Sequence, residues 1–319
     1  MKVIEHYERA SDPLISFEII PPKRGGSVKS VFDSIEKLMS VRPPFIDVTY
    51  HAAESYVEEQ PDGTLKRFIR RKRPGTIGLC AAILHRFDVD PVPHLICEGF
   101  SKEESEDALI ELNFLGIDNV FAIRGDASES MSQQLNGTVN KYAIDLVRQI
   151  QNMNHGTYLE EIANADPTHF SVGVAGYPEK HFEAPNIDWD IARLKEKVDA
   201  GADYIASQMF FDNRAYFSFV EKCRDAGIRV PIIPGIKVLT HENHITNLPR
   251  FFHLNLPEPF VKDLAANPDR VKEIGIEWCV QQCNELLDFG VPGIHFYVMG
   301  NPQPALDVID RLPSGTSAN

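Results

Sequence analysis

The stretch AGADYIASQMFF, residues 200–211, decides the fold. A charged amphipathic run leads into it, a small residue and a glycine follow, and a β-rich run then continues past Gln208. Glycine at that point supplies the left-handed position that stops a helix, and the run behind it reads as a buried strand. The same phrase recurs in LGIDNVFAIRG (115–125), AGIRVPIIPGI (226–236) and FGVPGIHFYVMG (289–300). One helix-to-strand unit is therefore used repeatedly. Working outward, apolar runs predict eight strands, over 15–20, 45–50, 76–82, 119–123, 170–175, 204–208, 230–233 and 293–297. Helix-period segments lie between them, for instance over 28–40, 102–115, 188–200 and 213–226. Eight alternations without a break in composition predict α/β architecture of the (β/α)8 TIM-barrel type, one domain over residues 1–312. A doubly wound sheet is the alternative. It places a glycine fingerprint after the first strand, where this chain reads PPKRGG, and GxGxxG occurs nowhere.

Composition narrows the function. The 319 residues are 43% hydrophobic and 24% charged, enough to bury a sizeable core. The formal net charge of -14 argues against a nucleic acid or an anionic membrane as partner and favours small molecules. Cys80, Cys97, Cys223, Cys279 and Cys283 form no CxxC pair and no zinc spacing, a scatter that suits a reducing cytoplasm. Cys279 and Cys283, four apart in a helical stretch, share a face as small core residues. No run approaches membrane-spanning length, MKVIEHYERASDP has no apolar signal core, and the tail from residue 313 is expected to be disordered.

SFEIIPP (16–22) poses the chemical question. Glu18 stands inside an apolar strand, and a lone buried carboxylate is costly. Period-two alternation puts Ser16, Glu18 and Ile20 on one face and Phe17 and Ile19 on the other. In a barrel the Phe17 face packs on helices, and Glu18 points into the mouth. A salt bridge to Lys23 or Arg24 is the bland alternative. Barrel sites gather at the C-terminal ends of strands, and polar residues recur there: Glu18, Thr49, Arg124 with Asp126, Tyr177, Gln208 and Tyr297.

At this point the chain resembles the methylenetetrahydrofolate reductase family. The resemblance rests on SFEIIPP, DVTY, PHLIC, AIRGD, YAIDLV, VAGYPEKH, KEKVDAGAD, SQMFFD, IIPGI and GIHFY, in the family's order from Ser16 to Tyr297. Each motif is weak alone; ten in sequence are specific. The length resembles the bacterial catalytic form. The resemblance implies FAD as cofactor, NADH or NADPH as electron donor, and reduction of 5,10-methylenetetrahydrofolate to 5-methyltetrahydrofolate in two half-reactions at one flavin face. It implies a cytoplasmic homo-oligomer with no metal. Glu18 matches the general acid that opens the folate ring, a role that a desolvated carboxyl suits because burial keeps its proton near neutral pH. Asp126 and Gln208 match substrate-binding positions, Asp126 beside the flavin as well. Thr49, Tyr50, Ala52, His94, Arg124, Gly125, Tyr142, Ala143, Tyr177, His181, Ala184, Asp190 and Lys197 match FAD-contacting positions. Lys197 and His181 suit a pyrophosphate, and Asp190 a ribose hydroxyl.

Three departures stand out. Glu196 sits where bacterial relatives often carry Arg near FAD. HFYVMGNP replaces HFYTLNR, which bears on a folate-tail contact. CAAILHRFDVDPVPH (80–94) is longer than the family's third strand and is expected to form an excursion. HENH (241–244) fails the zincin spacing and reads as a solvated helix start. His85, Asp88, Asp90 and His94 make a poor preformed metal site because Pro91 and Pro93 interrupt them. RFIRRKRPG (67–75) reads as a solvated helix end. The rival functions are another FAD barrel of the proline dehydrogenase type and a non-catalytic folate- or flavin-binding barrel.

Overall fold

Parallel strands need crossover connections of a dozen or more residues, and this chain supplies them as helices. The structure is a computed structural model that describes residues 1–52, 54–70, 72–125 and 138–313. The strands are β1 (Leu14–Ile19), β2 (Phe45–Val48), β3 (Glu54–Glu59), β4 (Leu65–Arg70), β5 (Asp90–Ile96), β6 (Asn119–Ile123), β7 (Ser171–Gly176), β8 (Tyr204–Ser207), β9 (Ile232–Ile233), β10 (Gly235–Ile236) and β11 (Gly293–Tyr297). The helices are α1 (Val3–Arg9), α2 (Lys29–Leu38), α3 (Thr76–Phe87), α4 (Lys102–Phe114), α5 (Ala143–Asn154), α6 (Ile187–Asp199), α7 (Asn213–Asp225), α8 (His244–Phe252), α9 (Glu258–Ala266), α10 (Val271–Phe289) and α11 (Gln303–Ile309).

All strands but the β3–β4 hairpin form one parallel sheet in the order β10-β11-β1-β2-β5-β6-β7-β8-β9. Its two ends are neighbours in sequence, separated only by Pro234. β9 ladders to β8 and β10 to β11, so a single strand broken at the proline closes the barrel. The Pro234 carbonyl still accepts from the His295 N–H at 3.0 Å. The eight-stranded barrel read from the sequence is what forms. The four helix-stopping glycines hold positive φ as expected, from +71° at Gly116 to +110° at Gly201.

Alternation sorts the side chains. Ile15, Phe17 and Ile19 of β1 pack outward in the main core with Ile35 and Leu38 of α2, as do Ile46 and Val48 of β2 and Ile294 and Phe296 of β11. Each such side chain, once fully buried, contributes about 1.5–3 kcal/mol. A second cluster fills the barrel's lower interior with Phe45, Val92, Phe121, Tyr204 and Ile233. α1 closes that end: Val3 belongs to the cluster, its N–H donates to Asn119 Oδ1 at 2.7 Å, and Tyr7 meets Phe45 edge-on. Asp90 anchors the start of the chain, 2.7 Å from both the Met1 amino group and His6 Nε2. The inward residues above this plug are Ser16, Glu18, Asp47, His94, His295 and Tyr297, and they are polar.

Two readings need correction. The strand expected over 76–82 is the start of α3. Its buried residues Thr76, Leu79, Cys80 and Ile83 are spaced by three and four, and its Leu and Ala favour a helix. The third barrel strand is β5, so residues 80–94 hold the rest of α3 and a strand rather than an excursion. Pro91 and Pro93 are tolerated because that half of β5 ladders to β2, and the ladder to β6 begins only at His94. The second correction concerns RFIRRKRPG. It opens as β4, the return strand of a hairpin turned at Pro61–Gly63, not as a helix end. There Tyr56 stacks on Phe68 and Arg70 lies over Tyr56. Residues 314–319 of the expected disordered tail lie outside the described residues.

Candidate active site

The mouth of the barrel holds a carboxylate pair around one imidazole. β1 brings Glu18, β2 brings Asp47, and β5 brings His94, whose Nε2 is 3.2 Å from Asp47 Oδ2 and 3.7 Å from Glu18 Oε2. Glu18 does not pair with Lys23 or Arg24, which lie on the exposed loop beyond the strand. Desolvation lifts the Glu18 carboxyl from 4.5 to about 7, with His94 and Lys237 opposing and Asp47 adding to the rise. Asp47 is also lifted by burial, to about 7, against the pull of His295. Burial holds His94 and His295 below the usual imidazole range. At neutral pH the site therefore offers a carboxyl that can give up a proton, flanked by neutral imidazoles. Under it, Ser16 Oγ lies 2.8 Å from His295 Nδ1.

Lys237 completes this group from the loop after β10. Its ammonium donates to the Tyr297 carbonyl at 2.9 Å, and burial lowers its pKa to about 8. It lines a cavity of about 270 Å³ with Thr240, His241, His244, Tyr297 and Asn301. HENH starts α8 here as expected, yet its His244 is half-buried, with Nδ1 facing the Thr240 N–H at 3.4 Å, and burial pushes it down to about 4. The Val298–Asn301 part of HFYVMGNP turns through positive φ at Met299 and Gly300 to form the opposite wall.

A second group curves along the rim above β6 and β7. Arg124 makes a two-pronged pair with Glu183, at 2.5 and 3.0 Å. Gly125 has φ +89°, and a Cβ there would press on Glu98 and Ile96 at 3.3 Å. Tyr177 meets His181 edge-on, and His181, Phe182 and His253 continue the aromatic run at centroid spacings of 4.6–4.8 Å. Asp190, in the first turn of α6, accepts the His181 N–H at 2.7 Å, and the Ala184 N–H closes the same turn on the His181 carbonyl. Lys197 points from α6 toward the barrel, where it donates to the Ala175 carbonyl at 2.7 Å; burial lowers it to about 8 while Asp190 favours its charge. Arg124 senses Tyr177 and Tyr142, and His181 senses Arg124 and Lys197, so these groups share one locale. Exposed Tyr142 caps α5, which Ala143 begins.

The remaining expected residues are placed as follows. Thr49 follows β2, with Oγ1 3.1 Å from His51 Nε2 and its carbonyl accepting from Thr76. Tyr50 meets Phe100 edge-on, and Ala52 is half-buried beyond it. Gln208 directly follows β8, and its side-chain carbonyl accepts from the Met209 N–H at 2.9 Å. Asp126 lies outside the described residues. Glu196 pairs with Arg193 at 2.9 Å on α6. The four residues weighed as a metal set disperse, His94 to the mouth and Asp90 to the opposite end. The sequence reading gave no role to Asp47 or Lys237. Both were legible by the argument applied to Glu18, a charged residue inside or directly behind an apolar run.

Residues 2–313 match the family model described as methylenetetrahydrofolate reductase. The chain belongs to that family. Methylenetetrahydrofolate reductase 1 of Schizosaccharomyces pombe is 33% identical over 301 residues, covering 93% of this chain and 45% of that protein. The 5,10-methylenetetrahydrofolate reductase of Escherichia coli is 29% identical over 301 residues, covering 93% of this chain and 90% of that protein. The chain thus spans about half the length of the first curated relatives it matches and most of the bacterial one. Among solved structures, an uncharacterised protein from Clostridium thermocellum, described as binding two copies of 5-methyl-5,6,7,8-tetrahydrofolic acid, superposes with a TM-score of 0.62. At 14% identity, over 96% of this chain and 98% of that one, it shares the fold.

Proposed function

We propose that this chain reduces 5,10-methylenetetrahydrofolate to 5-methyltetrahydrofolate, drawing electrons from NADH or NADPH through FAD held at the C-terminal rim. The observation that carries the reading is Glu18: a carboxyl 13% exposed at the barrel mouth, with its pKa lifted to about 7. Opening the folate's five-membered ring needs a proton on the departing nitrogen. A carboxyl that keeps its proton to neutrality and still reaches the mouth is suited to donate it. Asp126 and Gln208 are assigned to folate binding.

The rim residues fit FAD. Lys197, Arg124 and His181 supply cationic and N–H donors for a pyrophosphate, and Gly125 removes the side chain where backbone must approach closely. Glu98 Oε1, buried beside Gly125, has no hydrogen-bond partner among the described residues and can accept from a ligand. Tyr142 and Tyr177 offer ring faces beside Ala143, Ala184 and Asp190, and Thr49, Tyr50, Ala52 and His94 are assigned to FAD by the motifs that carry them. When bound, FAD would supply the hydride carrier between nicotinamide and folate. The residues' part is to hold it, to exclude water from the mouth and to keep the proton on Glu18.

The test is direct. Purified protein should be yellow, or become so with FAD, and should oxidise NADH or NADPH in proportion to added methylenetetrahydrofolate. A colourless protein that FAD cannot reconstitute would overturn the reading.

A further inference from the structure

We propose that Asp47 is a positioning residue that keeps the proton on Glu18, by engaging the one imidazole nitrogen that could otherwise stabilise the Glu18 carboxylate. The inference rests on the reading of Glu18 as the general acid. An imidazole nitrogen holds at most one hydrogen, so His94 Nε2 serves one carboxylate at a time. At 3.2 Å it is within hydrogen-bond distance of Asp47 Oδ2, and at 3.7 Å it is beyond that distance from Glu18 Oε2. Whichever partner carries the hydrogen, that contact occupies Nε2. The other nitrogen group facing Glu18, Lys237, makes no hydrogen bond or ion pair with it; its Nζ is turned to the Tyr297 carbonyl. Glu18 therefore stands between two nitrogen groups, neither within hydrogen-bond distance of it. A buried carboxylate without donors reverts to its neutral form.

The surroundings of Glu18 leave Asp47 as the deciding group. From β5 comes His94, from the loop after β10 Lys237, from β11 Tyr297 and from β2 Asp47. Tyr297 donates its hydroxyl to the Ser207 carbonyl at 2.7 Å. Asp47 is itself only 2% exposed, with Oδ1 lacking a hydrogen-bond partner among the described residues, and is faced by His295 of β11 and Tyr7 of α1. A structural aspartate would spend both oxygens on the fold. This one leaves an oxygen unsatisfied and spends the other on the imidazole next to Glu18.

Infrared titration of the whole protein reads the claim without turnover. The protonated-carboxyl band of Glu18 is assigned by its loss in Glu18→Gln. In Asp47→Ala, which leaves His94 Nε2 without that partner, the band should titrate about one pH unit lower, a roughly tenfold smaller protonated fraction above both midpoints. The alkaline limb of folate reduction should move with it. Asp47→Val, apolar and suited to a strand, gives the same reading should the Ala variant fail to fold. In a His94→Phe background the displacement should shrink, because the effect runs through the imidazole. An unmoved band in both Asp47 variants overturns the inference, and so does an undiminished displacement without His94. If the band moves but Glu18→Gln still reduces the folate, the inference stands and the general-acid reading falls.

Discussion

Replacing Glu18 by Gln should stabilise the ligand-free protein at alkaline pH and do progressively less as the pH falls. Burial raises the carboxyl from its ordinary 4.5 to about 7. Below 4.5 it is protonated in folded and unfolded chains alike, so no buried charge arises. Between 4.5 and 7 the unfolded chain has lost the proton that the folded chain still holds. Above 7 the folded protein carries the whole cost of the buried charge. A group raised in this way adds relative stability below its unfolded pKa and loses it as pH climbs through the folded one. At about 1.4 kcal/mol per pH unit, the full interval corresponds to roughly 3 kcal/mol. About 1 kcal/mol of that is present at pH 5.5, so the advantage of the variant should grow by about 2 kcal/mol between pH 5.5 and pH 8. For a domain of this size that is an added rise of roughly 3 °C in Tm. Urea and thermal unfolding of both proteins across this range measure it. The net charge of -14 acts on both nearly equally and drops out of the comparison. A stability difference that stays flat with pH would refute the claim that Glu18 is buried at the cost of its charge.

Further outcomes follow from the same geometry. Folate reduction should fall about tenfold per pH unit above about 7 as Glu18 ionises, while flavin reduction by the nicotinamide lacks that limb; stopped-flow measurement from pH 6 to 9 separates them, and a shared limb would count against Glu18. Gly125→Ala should lower stability by about 1–2 kcal/mol, because φ is +89° and the new methyl meets Glu98 and Ile96; a variant with unaltered Tm and FAD affinity would deny the close approach. Lys197→Met should bind FAD about tenfold more weakly by fluorescence titration without loss of Tm, since it removes a buried ammonium from the protein; unchanged affinity would place the pyrophosphate elsewhere.

Barrel and mouth were legible in the sequence for different reasons. The helix-stopping glycines and the runs behind them marked strands because glycine alone takes that conformation cheaply, and β6, β8, β9–β10 and β11 followed. Residues 76–82 misled because a short apolar run carries no alternation, and only its burial at three- and four-residue spacing shows the helix. The prolines of β5 concealed a strand whose β6 ladder starts beyond them. The hairpin carried its own signal in PDG, with Asp62 accepting from the Thr64 N–H, set against a basic run that drew attention to charge. Glu18 was legible as a misplaced charge. Its dependence on Asp47, His94 and Lys237 was not, because strands far apart in sequence bring them together and only barrel closure sets the 3.2 and 3.7 Å spacings.

The most direct test of the central claim is stopped-flow analysis of Glu18→Gln, one half-reaction at a time. With NADH or NADPH the bound flavin should be reduced at close to the wild-type rate. With methylenetetrahydrofolate the reduced enzyme should fail to reoxidise, because the departing nitrogen receives no proton. Equal loss in both half-reactions, or reoxidation at the wild-type rate, would contradict the role assigned to Glu18.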